Sequence, residues 1–199
     1  MYENKKIIEI RNYLKSECLG NCSKEKPCCN CAIGANRQSA IKWMITVYDA
    51  LGLTYETLIY SIWIYDYYMS KNIKSTDLNM NLLVVCTCLF IGSKFGEPFG
   101  RMIYANQLKE STDHAYPVSE FVKMERKILK SLNYNVSFMT PIHYIHNKIK
   151  DSKEVAFAIE LLIGLYKVGQ IKTMCAKKVA KKTMNALAVC RLGYSKKIN

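Results

Sequence analysis

The side chains with the most evident chemistry in this sequence are thiols. Nine cysteines occur in 199 residues, and Cys18, Cys22, Cys28, Cys29 and Cys31 crowd into one stretch. Four thiolates can hold zinc tetrahedrally, and the set Cys18, Cys22, Cys28 and Cys31 would order a segment short of core residues. The spacing matches no standard finger or ribbon, since only Cys28 and Cys31 stand as a C-x-x-C pair. The other reading is a reduced linker in which some thiols pack as small hydrophobes. No cofactor is expected under that reading, with structural zinc as the alternative. The odd count argues against a disulfide framework and for a reducing compartment. Among the remaining reactive types, His114, His143 and His146 do not converge with a nucleophile, and no glycine-rich phosphate loop occurs. The expectation is a protein that is not an enzyme.

Charge points to a partner. Lys and Arg total 29 against 16 Asp and Glu, a net +13. From Leu161 to Asn199 there are nine basic residues and no acid, so residues 1–160 carry only +4. Such a segment can meet nucleic acid, an acidic protein surface or an import receptor, or it can be a solvated helix face. The longest apolar run, Leu82 to Gly92, is eleven residues, against about twenty for a membrane span. Tyr2-Glu3-Asn4-Lys5-Lys6 leads into an amphipathic stretch, so neither a signal peptide nor a membrane partner is expected.

Helical periodicity supplies the elements that position these residues. An N-terminal arm, Asn4 to Glu17, has apolar residues at Ile7, Ile10 and Leu14, and an irregular linker follows from Leu19 to Asn36. A stripe at Ile41, Met44, Ile45, Tyr48 and Leu51 predicts a helix over Arg37 to Leu51. Thr54 caps the next helix, which ends near Asn72, although Thr54 with Thr57 is only half a capping box. Leu78 to Phe95 is apolar on nearly every face and belongs at the centre of a bundle. A short helix is expected over Met102 to Leu108, and an amphipathic one from Ser119 through Leu132. Pro141 opens a helix to Ile149, and Val155 to Val168 and Thr173 to Leu192 complete the chain. The fold expected is all-α: a five-helix bundle around a central apolar helix, with an N-terminal helical arm and a short helical C-terminal extension.

Four pieces of sequence then stand in a telling order. Arg37 precedes Trp43 by six residues. Leu53-Thr54-Tyr55-Glu56-Thr57-Leu58 leads into Tyr65-Asp66-Tyr67. The central helix ends Ile91-Gly92-Ser93-Lys94-Phe95. The fifth helix carries Met124-Glu125-Arg126-Lys127-Ile128-Leu129, followed by Leu132-Asn133-Tyr134 and Thr140-Pro141. This arrangement closely resembles a cyclin box, the five-helix unit of the cyclins that activate cyclin-dependent kinases, over roughly Ile7 to Tyr144.

The resemblance implies roles. Arg37 and Asp66 match a buried ion pair tying the first helix to the second, and Trp43 matches a core tryptophan. Lys94 and Glu125 match the pair that grips the kinase: a lysine offers donors to backbone carbonyls, and a carboxylate accepts from backbone N–H groups. Ile91, Phe95, Tyr134, Val136 and Ile10 match apolar positions packed around those contacts. The implied function is a regulatory subunit that binds and activates a cyclin-dependent serine/threonine kinase in the nucleus or cytoplasm. The alternative is a cyclin-fold transcription factor that binds DNA or polymerase through the basic C-terminal segment; against it stand the compact cysteine spacing and Lys94 with Glu125.

The sequence also departs from the family. Where many cyclins have an apolar methionine–arginine–alanine–isoleucine–leucine run, this chain has Asn36-Arg37-Gln38-Ser39-Ala40, leaving less apolar surface for a substrate-docking groove. Gly96 replaces the first of two acids that often follow the lysine–phenylalanine, and Glu97 keeps the second. The domain expectation is an arm and Cys-rich linker at 1–36, the box at 37–140, and a reduced or truncated second helical lobe at 141–199.

Overall fold

The computed structural model describes residues 31–72, 78–172 and 175–195, with side chains described for 37–72, 81–172 and 175–190. Among these residues there are eight helices and no strand: α1 (Cys31–Leu51), α2 (Tyr55–Asn72), α3 (Leu78–Gly96), α4 (Ala105–Ser111), α5 (Val118–Ser131), α6 (Pro141–Lys148), α7 (Ser152–Lys167) and α8 (Ala176–Ser195). The expected arm at 4–17 lies outside the described residues. Contacts divide the chain into two units, one of residues 32–140 and one that includes 141–199.

In the first unit, every residue from Leu83 to Ser93 is buried, and α3 packs against α2, α4 and α5. A helix apolar on all sides has no face to give to water, so it takes the middle. Around it α1 buries Ile41, Met44 and Ile45, α2 buries Leu58, Ile62 and Tyr65, and α5 buries Phe121, Met124 and Ile128. Cys86 and Cys88 are fully buried in α3. Burial pushes the Cys86 thiol up to about 12 and raises that of Cys88 as well, so both behave as small hydrophobes and not as nucleophiles.

The approach of α2 to α3 is set by two glycines one turn apart. A Cβ on Gly92 would lie 3.0 Å from the Thr57 carbonyl oxygen and 3.1 Å from the Ser61 nitrogen. A Cβ on Gly96 would lie 2.6 Å from the Thr57 nitrogen and 2.8 Å from its Cα. Backbone therefore meets backbone here, and only glycine allows it.

Two boundaries and one burial in this unit differ from expectation. The first helix begins at Cys31, so residues 31–36 are helical and not linker; Gly34 and Asn36 suggested a loop, but one interior glycine costs only about 1 kcal/mol, and its neighbours Ala32 and Ala35 are strong helix formers. The short helix spans Ala105–Ser111 and not Met102 to Leu108. Ile103 is held back by its N–H bond to Ser93 Oγ at 3.2 Å, and Gln107 Oε1 accepts from the Tyr104 N–H at 2.8 Å, so the first turn forms after Tyr104. Trp43 is half-buried and not a core residue.

In the second unit α6, α7 and α8 pack on one another. Pro141 opens α6, where its missing N–H is no loss. Asp151 caps α7 by accepting from the Glu154 N–H at 3.0 Å, which starts that helix at Ser152, earlier than the apolar pattern indicated. Val155, Ala158, Ile159 and Leu162 of α7 are buried, as are Val179, Thr183 and Leu187 of α8. Among the described residues no helix is long and apolar enough to cross a membrane.

Candidate functional site

The site is built from a scaffold inward to a surface. Arg37 on α1 donates to Asp66 on α2 through two parallel bonds, Nε to Oδ1 at 2.6 Å and Nη2 to Oδ2 at 2.7 Å. The geometry is the planar fork that arginine makes with a carboxylate. Burial nevertheless pushes the Asp66 carboxyl above its ordinary value, with the Arg37 hydrogen bond and charge pulling it back only in part. Desolvation thus outweighs attraction, so the pair orients α1 on α2 while contributing little net stability. Two outcomes follow. Arg37→Ala strands a buried carboxylate and should cost about 3–5 kcal/mol. Arg37→Met with Asp66→Leu should recover most of that loss, as read from denaturant midpoints of the four members of the cycle.

Lys94 lies in the last turn of α3 and Glu125 midway along α5. The resemblance names them as one pair facing a partner, and in the structure they also bond each other: Lys94 Nζ donates to Glu125 Oε1 at 2.6 Å. The ammonium also sits 3.9 Å from the centroid of the Phe90 ring, a cation–π contact that orients it further. Side-chain exposure is 35% for Lys94 and 16% for Glu125. A pair this open to water is worth about 0–1 kcal/mol, so its contribution to folding is small. Each group keeps hydrogen-bonding capacity, since an ammonium has three donors and a carboxylate about four acceptor positions.

The apolar residues assigned to this surface divide into two groups. Phe95 is 54% exposed and Tyr134 67% exposed. Ile91 and Val136 are buried and so are not part of the exposed surface. Ile10 lies outside the described residues. Tyr134 owes its exposure to the end of α5. The Asn133 N–H bonds the Lys130 carbonyl and the Tyr134 N–H bonds the Leu129 carbonyl, a Schellman closure. Asn133 and Tyr134 both take left-handed backbone, at φ +52° and +56°, which is uncommon for a bulky side chain.

Sequence reading missed the role of Glu97. Its Oε1 accepts from the Thr54 N–H at 2.6 Å, from Thr54 Oγ1 at 3.0 Å and from Thr57 Oγ1 at 2.7 Å. In a capping box the third helical residue supplies that carboxylate. Here Thr57 holds that position, and Glu97, one residue beyond the end of α3, supplies the carboxylate instead. Glu97 Oε2 is buried without a partner among the described residues, so Oε1 makes the carboxylate's half of the cap, and Thr54 Oγ1 makes the other half by accepting from the Thr57 N–H at 3.4 Å. The signal was present as the half box at Thr54 and Thr57 but could not say where the acid would come from. Gly96 also finds its reason: any side chain there meets Thr57, so the acid common in the family has no room.

The cysteine set fares differently. Cys18, Cys22 and Cys28 lie outside the described residues, as does the side chain of Cys31. Elsewhere, among the described residues, no three His, Cys, Asp or Glu side chains gather as metal ligands. On α8, Lys177, Lys178 and Lys181 are exposed, while Lys182 donates to the Gln170 carbonyl and side chain at 3.1 and 2.9 Å.

A buried helix packed against α2, α4 and α5, with a lysine–glutamate pair bridging α3 and α5 at the surface, defines the first unit as an all-α bundle. The family profile of the cyclin N-terminal domain matches residues 9–137; the chain belongs to the cyclin family. It is 32% identical over 155 residues to the G2/mitotic-specific cyclin-1 of Saccharomyces cerevisiae, covering 72% of this chain and 31% of the relative. To the G2/mitotic-specific cyclin-B of Hydra vulgaris it is 31% identical over 119 residues, covering 57% of this chain and 30% of the relative. It thus spans about a third of the length of these relatives. The fold matches the X-ray structure of a viral cyclin from herpesvirus saimiri with a TM-score of 0.58 and 13% identity, covering 90% of this chain and 96% of the other.

Proposed function

We propose that this chain binds a cyclin-dependent serine/threonine kinase through Lys94 and Glu125 and thereby activates it. The observation that carries the reading is the 2.6 Å pair between α3 and α5, open to solvent and close in sequence to the exposed rings of Phe95 and Tyr134. Activation of a kinase requires its mobile αC helix to move inward, so that its own lysine–glutamate pair forms around the nucleotide. A pair already set at one spacing can hold a carbonyl and an N–H of a loop beside that helix without first ordering two long side chains. Giving up the internal bond costs at most about 1 kcal/mol, far less than two charge-assisted hydrogen bonds return in a dry interface. Membership of the cyclin family supports a regulatory role, and the nucleus or cytoplasm is where we propose that it acts.

The test is titration of the protein into a purified cell-cycle cyclin-dependent kinase that carries no cyclin, followed by phosphorylation of histone. Saturable binding with a rise in phosphorylation supports the reading. No binding and no rise, with salt-dependent binding of duplex DNA through the α8 lysines, would move the transcription-factor alternative ahead.

A further inference from the structure

Phe99 is 99% exposed, the most exposed of the large apolar residues among those described. It stands at the second position of a tight turn in which the Arg101 N–H donates to the Pro98 carbonyl at 3.0 Å and Gly100 has φ +88°, the geometry of a type II turn. The backbone on either side is pinned three times. Glu97 is tied to the start of α2, Arg101 Nη2 donates to the Gly52 carbonyl at 2.9 Å, and the Ile103 N–H is bonded to Ser93. An aromatic ring held wholly in water on so fixed a support does nothing for folding. Rigid presentation of an aromatic ring is how interfaces obtain affinity with little ordering cost.

We propose that Phe99 is an anchor that enters an apolar pocket of the same kinase that Lys94 and Glu125 grip; the inference rests on the kinase-binding reading. Phe99 lies five positions after Lys94, a reach of at most about 18 Å. One side of an ordinary interface, about 800 Å², is roughly 30 Å across and takes in both. Phe95 and Tyr104, at 54% and 55% exposure, stand in the same ten-residue stretch, and aromatic enrichment is a mark of protein interfaces. A second copy of the chain is the weaker occupant. One ring buries about 150–250 Å², against a total of about 1,200 Å² for a stable dimer, whereas a kinase seated on the clamp brings the remaining area with it.

The experiment compares wild type, Phe99→Ala, Arg101→Ala and Lys94→Ala/Glu125→Ala for binding to the purified cyclin-free kinase, with thermal melting and sedimentation of each alone. Phe99→Ala should weaken binding at least tenfold, chiefly through faster dissociation, with an unchanged melting temperature. Arg101→Ala should lose severalfold, because the turn loosens while the ring remains. Phe99→Ala binding within twofold of wild type, while the double variant loses binding, overturns the anchor and leaves the clamp standing. Wild type that does not bind overturns both. A dimer that Phe99→Ala converts to monomer places the ring at a self-interface and also overturns the proposal.

Discussion

Exchanging the two clamp charges, Lys94→Glu with Glu125→Lys, should leave the protein folded and weaken kinase binding by about 100-fold or more. The exchanged pair can still bridge α3 and α5, so the internal contribution of about 0–1 kcal/mol is kept. The last turn of α3 loses a favourable cation and gains an unfavourable anion, each a matter of about 0.3–1 kcal/mol. Melting should therefore shift by only a few degrees. A partner loop meets something different. Its carbonyl now faces a carboxylate and its N–H faces an ammonium, so two attractions become two repulsions in a desolvated contact. Mispaired charges at interface centres cost about 2–5 kcal/mol or more, which sets the expected loss. Calorimetric titration and a thermal melt of the same sample separate the two effects. An exchange variant that binds like wild type would reduce the pair to a surface salt bridge with no partner role.

The second large effect concerns Gly96. In an ordinary helix glycine to alanine stabilises by up to about 1 kcal/mol. Here the sign should reverse, and Gly96→Ala should cost about 3–4 kcal/mol, from overpacking plus disturbance of a cap. The added Cβ would fall 2.6 Å from the Thr57 nitrogen, a backbone atom that no rotamer change can move. Relief requires α2 to withdraw from α3, and that withdrawal pulls Thr54 and Thr57 away from Glu97. Urea denaturation of Gly96→Ala beside Glu97→Gln tests this: the glycine variant should lose clearly more, because it suffers the clash as well as the weakened cap. Equal stability of Gly96→Ala and wild type would mean that the helices can separate without cost.

Periodic features were legible in the sequence and junctions were not. The all-round apolar character of residues 82–91 placed α3 at the centre of its unit, because removing apolar surface from water is the strongest force acting on such a helix. The stripe from Phe121 to Ile128 located α5 for the same reason. Arg37 and Asp66 could be paired only through resemblance, since 29 residues separate them and periodicity says nothing about which charges meet. The clamp residues were likewise nameable by family position, but that they bond one another in the absence of a partner is a property of how α3 crosses α5. Glu97 was named only as a family acid, and its capping role went unread because that role joins two elements distant in sequence. The early start of α1 at Cys31 was masked by Gly34 and Asn36, whose local preference the rest of the helix overrides.

Centrality has a price during synthesis. The most apolar helix of the bundle is finished at Gly96, and α5, which packs on it, is complete only at Ser131, 35 residues later. At ribosomal rates of about 5–20 residues per second, that delay is roughly 2–7 s. Throughout it α3 can lean on α2 through the glycine contacts but has no α5 to cover its remaining face. In that interval the face of α3 that α5 will cover is open to association with other chains, as transiently exposed apolar surface is in general.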